Sequence, residues 1–216
     1  MKIPAICLVV SLFLVSSVEA ATINVFGQNT GGNTIVGNET GGVTTITGVN
    51  VPVTITTLNE MASNINAFFN LNATSTGAAT NVVGDLWSQP YSGSFSITNG
   101  GFNYLSGQFA GVTLGLEDGK SLVFGAAQPP LFLDFTSDVL GMPLGDPSAM
   151  SLAFTNLFPG VTIVNNSFGD FTSNVSGTFS AEPLAAVPEP ATMILLGTGL
   201  LAAFKSRTLK NKQTGV

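Results

Sequence analysis

Residues 49–56 read "VNVPVTIT". On an extended chain Val49, Val51, Val53 and Ile55 share one side, and Asn50, Pro52, Thr54 and Thr56 share the other. An apolar residue at every second position marks a strand that buries one face. Pro52 has no N–H to offer a neighbouring strand, which places this segment at a sheet edge or at a bulge. Shorter alternations recur at "SFSIT" (94–98), "VTLGL" (112–116) and "VTIV" (161–164). Turn signals separate them: Asn99-Gly100-Gly101, Asp118-Gly119 and Phe158-Pro159-Gly160. Asp118-Gly119 between two apolar runs predicts a hairpin, because the tight turn needs positive φ and this pair tolerates it.

Two further stretches bear on the fold. "TGGNTIVG" (30–37) is echoed by "TGGVTTITG" (40–48), which reads either as two successive short strands or as a flexible lead segment. In residues 57–70, "TLNEMASNINAFFN", the residues Leu58, Met61, Ala62, Ile65 and Phe69 recur at helical spacing. Thr57 with Glu60 three residues later has the form of a capping box, so an amphipathic helix is expected there. Phe residues from Phe95 to Phe179 are numerous enough to fill a core. The expected body is therefore all-β: a single β-sandwich-like domain over residues 21–186, with one short helix packed on it.

Charge is scarce and segregated. Between residues 21 and 187 there are ten acids against Lys120 alone, a net charge of −9. Such a surface repels phosphate backbones, so nucleic acid is not an expected partner. Histidine is absent and the only cysteine is Cys7. Ser-His-Asp and Cys-His catalysis, disulfides in the body and thiolate metal sites are thereby excluded. The remaining catalytic option is a carboxylate pair, Asp134 with Asp138 or Glu117 with Asp118, and neither spacing is specific. Trp87, Tyr91 and Tyr104, with "DLWSQPYSG" (85–93) foremost, are the candidates for stacking on sugar rings. The simpler reading of that segment is an aromatic closing one end of the domain. No cofactor, metal site or catalytic residue is assigned, and a non-enzymatic protein is expected.

The two termini carry addresses. Lys2, the apolar run from Ile6 to Val15 and the small residues Val18 and Ala20 form a secretory signal peptide over residues 1–20, with cleavage after Ala20. At the other end, residues 191–204 are uncharged and apolar on every side. They are short against the roughly 20 residues of a usual spanning helix. Lys205, Arg207, Lys210 and Lys212 follow, can reach the headgroups and leave the tail on the cytoplasmic side. A C-terminal transmembrane helix over residues 191–204 is therefore expected, ahead of a basic stop segment.

The residues "VPEP" (187–190), the short glycine-bearing apolar stretch and the basic terminus together resemble the PEP-CTERM sorting signal of Gram-negative bacteria, over residues 187–212. The resemblance implies processing by an exosortase, with Pro188, Glu189 and Pro190 as the recognition triplet. A mixed Lys/Arg set stands where that signal usually has an arginine cluster. It also implies residence in the inner membrane before processing, and then a place at the cell surface or in the extracellular matrix. A structural or adhesive role follows as the leading expectation. The alternatives are a module that binds extracellular polysaccharide and, behind it, a carboxylate-based hydrolase.

Overall fold

The computed structural model describes residues 20–140 and 144–183. Thirteen strands follow one another: β1 (Ala21–Gln28), β2 (Ile35–Thr40), β3 (Val43–Leu58), β4 (Met61–Ser75), β5 (Thr80–Val83), β6 (Leu86–Asn99), β7 (Phe102–Leu116), β8 (Ser121–Gln128), β9 (Leu133–Thr136), β10 (Leu144–Phe158), β11 (Ile163–Val164), β12 (Ser167–Phe168) and β13 (Phe171–Pro183). Strands β1, β3, β4, β6, β7, β8, β10 and β13 each pair antiparallel with the next, and β13 pairs back onto β1. The sheet thus closes into an eight-stranded up-and-down barrel. Three wall positions are interrupted. β2 continues the place of β1 between β3 and β13, β5 continues β4 against β6, and β9 continues β8 against β7. The chain loops out at residues 29–34, 76–79 and 129–132 between the halves. β11 and β12 form a separate hairpin.

The expected sandwich is therefore corrected to a barrel. Both architectures bury one face of every strand, so the alternation is the same in each. What differs is the pairing of Ala21 with Ala181, at opposite ends of the body. The interior is filled by side chains, as a barrel of this strand number allows. Phe95 is its hub, stacked on Phe179 with ring centroids 4.7 Å apart and flanked by Phe69, Phe109 and Phe135. Phe26 extends the cluster from Phe69 and Phe179, and Phe124 extends it from Phe109. Glycine makes room for these rings: a Cβ on Gly177 would collide with Phe26, and one on Gly111 with Phe124.

The helix expected over residues 57–70 is not formed. Leu58 ends β3, Asn59 and Glu60 turn with φ of 50° and 63°, and Met61 opens β4. Asn tolerates the left-handed region, and two such residues in succession make the hairpin turn whose twist matches the strands. Beyond it Ala67, Phe69, Leu71 and Ala73 point inward, and Asn66, Phe68, Asn72 and Thr74 point outward. That period of two runs past the window in which the helical spacing was read, and the interleaved Asn residues are poor helix formers. The C-terminal transmembrane helix expected over residues 191–204 lies outside the described residues. Among the described residues, no helix is long and apolar enough to cross a membrane.

Residues 49–56 form the middle of β3, and their register holds one surprise. Val51, Val53 and Ile55 are fully buried, but Val49 is 63% exposed. The register shifts between Gly48 and Val51, and Asn50 takes φ of 48°, so a bulge turns Val49 outward. Pro52 lies at the gap between β1 and β2, where Asn29 N–H bonds its carbonyl (2.9 Å) and its missing donor costs no ladder bond. The glycine repeat is the β2–β3 hairpin, turning at Gly41 and Gly42 with φ of 61° and 85°. Asp118-Gly119 sits in the β7–β8 hairpin as expected, within a four-residue connection, Glu117 to Lys120. Of "VTIV", only Ile163 and Val164 are strand.

Candidate functional site

The segment "DLWSQPYSG" begins β6 at one end of the barrel, and alternation decides its chemistry. Gln89 and Tyr91 point inward and are buried, while Trp87 is half-buried against the core. Gln89 is the centre of a polar cluster. Its Nε2 donates to the Gly77 carbonyl (3.0 Å) and to Ser167 Oγ (2.7 Å). Its Oε1 accepts from the Tyr91 hydroxyl (3.0 Å) and from the Phe168 N–H (3.0 Å). Thr44 Oγ1 shares a hydrogen bond with Ser167 Oγ (2.6 Å) and donates to the Phe168 carbonyl, and Thr44 N–H donates to Ser75 Oγ (3.0 Å). The β11–β12 hairpin, buried at Ser167 and Phe168, is thus pinned across one mouth of the barrel. Tyr91 is not available to stack on a sugar. Trp87 donates its indole N–H to Glu117 Oε2 (3.1 Å), and Tyr104 is half-buried against the core. The aromatic segment closes the end of the domain.

Burial pushes the Tyr91 phenol well above its ordinary value, with the Thr44 side chain acting in the opposite direction. Below a pH of about 10 the phenol is protonated in both folded and unfolded chains. Above it the unfolded chain releases the proton and the barrel does not, so stability falls by about 1.4 kcal/mol per pH unit. Urea unfolding at intervals from neutral to strongly alkaline pH should show this fall, and Tyr91→Phe should make that limb shallower.

Three of the four candidate carboxylates, Asp138, Glu117 and Asp118, are engaged at turns and strand ends. Asp138 Oδ2 accepts from Asn103 N–H (3.0 Å), and Asp138 N–H donates to the Asn103 carbonyl (2.9 Å). Asp134 lies exposed on β9, opposite Gln108. Glu117 holds Trp87, and Asp118 makes the hairpin turn with φ of 61°. Lys120 closes the same connection, its carbonyl accepting from Leu157 N–H (3.1 Å). Charge in general sits at the strand ends and connections: β1, β3, β4, β6, β7 and β8 contain no charged residue.

Much of the wall along β4 and β13 carries hydroxyls and amides. Thr172, Asn174, Ser176 and Thr178 face outward along β13, and Asn66, Asn72 and Thr74 along β4. Lipid-spanning barrels carry the reverse arrangement, apolar outside and polar within. Apolar residues are also exposed on the wall, among them Phe68 on β4, Leu114 and Leu116 on β7 and Val123 on β8. The wall is concave in places, one of them, of about 210 Å³, beside Gln128, Asp134 and Asp146. At the β3 bulge a depression of about 310 Å³ is lined by Val49, Asn70, Asn72, Ser94 and Ser96, together with Gly48, Leu71 and Phe95. Another, of about 370 Å³, adjoins it at Val49 and reaches Asn33 and Thr47. Sequence reasoning missed this groove because the bulge that makes it reverses the side on which Val49 was placed.

Ala20 immediately precedes β1 and is exposed. Pro188, Glu189, Pro190, Lys205, Arg207, Lys210 and Lys212 lie outside the described residues. Residues 186–208 match the PEP-CTERM protein-sorting motif. The chain therefore carries an exosortase sorting signal at its C-terminal end, which implies export, C-terminal anchoring before processing, and processing by an exosortase. No family matches the body, and neither the curated proteins nor the solved structures hold a significant match to the chain.

Proposed function

We propose that this is a non-enzymatic structural or adhesive protein of the cell surface or extracellular matrix, delivered there through its C-terminal sorting signal. The observation that carries the reading is the contrast between the two faces of the barrel. Its interior is occupied by stacked phenylalanines, so the part that meets other molecules is the outer wall, rich in Ser, Thr and Asn along β4 and β13 and low in charge. A chain without histidine, and with no cysteine beyond Cys7, has little with which to move protons or form covalent intermediates. In this reading the signal peptide ends at Ala20, Pro188-Glu189-Pro190 presents the cleavage region, and Lys205, Arg207, Lys210 and Lys212 hold the apolar segment in the inner membrane until processing. Two prolines in three residues favour an extended segment that a processing enzyme can grasp.

Mass spectrometry of the exported protein in an exosortase-competent host tests this. The mature chain should begin at Ala21 and lack the apolar segment and basic tail. Replacing Pro188, Glu189 and Pro190 together by alanine should leave the chain unprocessed in the inner-membrane fraction and empty the surface fraction. Recovery of an intact chain ending at Val216 at the surface would overturn the reading.

A further inference from the structure

We infer that the groove at the β3 bulge is a binding site for a neutral, hydroxyl-rich polysaccharide, with Asn70, Asn72, Ser94 and Ser96 as its hydrogen-bonding surface; this rests on the surface or matrix location proposed above. The four residues form a compact array. Asn70 is directly opposite Ser96, and Asn72 directly opposite Ser94, on the adjacent strands β4 and β6. Opposed side chains are about 5 Å apart at Cβ, and successive outward residues on a strand are about 7 Å apart. Each amide presents a donor and an acceptor, a match for neighbouring sugar hydroxyls. Asn72, Ser94 and Ser96 make no side-chain hydrogen bond to any described residue, so their capacity is open to a ligand. Asn70 is already oriented: its Oδ1 accepts from Asn50 N–H (2.8 Å), which leaves its Nδ2 free. The bulge is itself held, since Asn33 Nδ2 donates to the Val49 carbonyl (2.7 Å). Val49, exposed beside the array, offers an apolar contact for the C–H face of a ring.

Charge selects the ligand class. β3, β4 and β6 contribute no charge to the groove, and the body bears a net charge of −9. An acidic polymer would be repelled and would find no cation in the groove, whereas a neutral one loses nothing. The two depressions share Val49, so the concave surface runs from Asn33 past Val49 to Ser94. The hydrogen bonds are solvent-exposed and no ring stacks, so a single site binds weakly. Adhesion would come from many copies on one polymer.

The test is titration of the isotopically labelled, exported protein, followed by amide NMR. The probes are soluble neutral oligosaccharides (α- and β-glucan, mannan and galactan) and an acidic control, oligogalacturonate. Saturable shifts centred on Asn50, Asn70, Asn72, Ser94 and Ser96 with at least one neutral probe, and none with the acidic one, are expected. The double substitution Asn70→Ala with Asn72→Ala should weaken that binding by about tenfold or more, the loss of two hydrogen bonds. Trp87→Ala should leave it unchanged, with the thermal midpoint of each variant checking the fold. No saturable shift with any neutral probe, equal binding of oligogalacturonate, or shifts centred on Trp87 would each overturn the site. A correctly processed, surface-located protein that fails this titration loses the groove and keeps the location; a mislocated one loses the reading on which the groove rests.

Discussion

Gln89→Leu is expected to lower the stability of the exported barrel by about 3–5 kcal/mol in urea unfolding. Leucine is close in volume, so the change removes hydrogen bonds with little change in packing. Four groups lose a partner: the Gly77 carbonyl, Ser167 Oγ, the Tyr91 hydroxyl and the Phe168 N–H. Ser167 keeps Thr44, but Tyr91 and the Phe168 N–H are left buried without a replacement. Each orphaned buried group costs about 1–3 kcal/mol. Hydrogen exchange should quicken first at Phe168, because the β11–β12 hairpin is held to the mouth through it. An effect below about 1 kcal/mol would show that water enters and the mouth is not sealed.

Phe95→Ala should cost a similar amount, about 3–5 kcal/mol. Phe95 touches four other aromatic rings at centroid separations of 4.7–6.5 Å, and truncation leaves a hole among them that the closed wall cannot collapse to fill. The neighbouring pair Phe68 and Phe69 supplies the control. Phe69 is fully buried, whereas Phe68 is 45% exposed on the outer wall. Phe68→Ala should therefore shift the urea midpoint far less than Phe95→Ala. Equal effects would contradict the inward and outward assignment of β4.

Alternation placed several residues without any structure. Val51, Val53 and Ile55 are buried as their spacing predicts, and the hairpin at Asp118-Gly119 is present; the glycine repeat, left open between strands and a flexible segment, forms strands. Local signals also misled. Thr57-Leu58-Asn59-Glu60 has the residues of a capping box, yet Asn59 and Glu60 form the β3–β4 turn. Propensity over one window yields to the strand pattern that continues to Ala73, because each inward residue there joins the barrel core. Val49 shows the same lesson at the scale of one residue. A single bulge inverts its facing, and a bulge depends on the neighbouring strands. Gln89 and Tyr91 read as a polar and an aromatic residue at the edge of a sugar-binding segment. Their burial depends on Ser167 and Phe168, some eighty residues away in the chain.

The sequence alone determined that the body is β-rich and acidic, that it lacks the side chains of nucleophile–histidine chemistry, and that it ends in a sorting signal. These are local properties: a period of two, a composition, or a short motif that an enzyme reads in extended form. Tertiary structure alone decided that the sheet closes on itself, which way Val49 faces, and where the wall is concave. Each depends on a strand meeting a partner far off in sequence, as Ala21 meets Ala181. A side chain's period records that one face is buried, but not which strand will cover its edge.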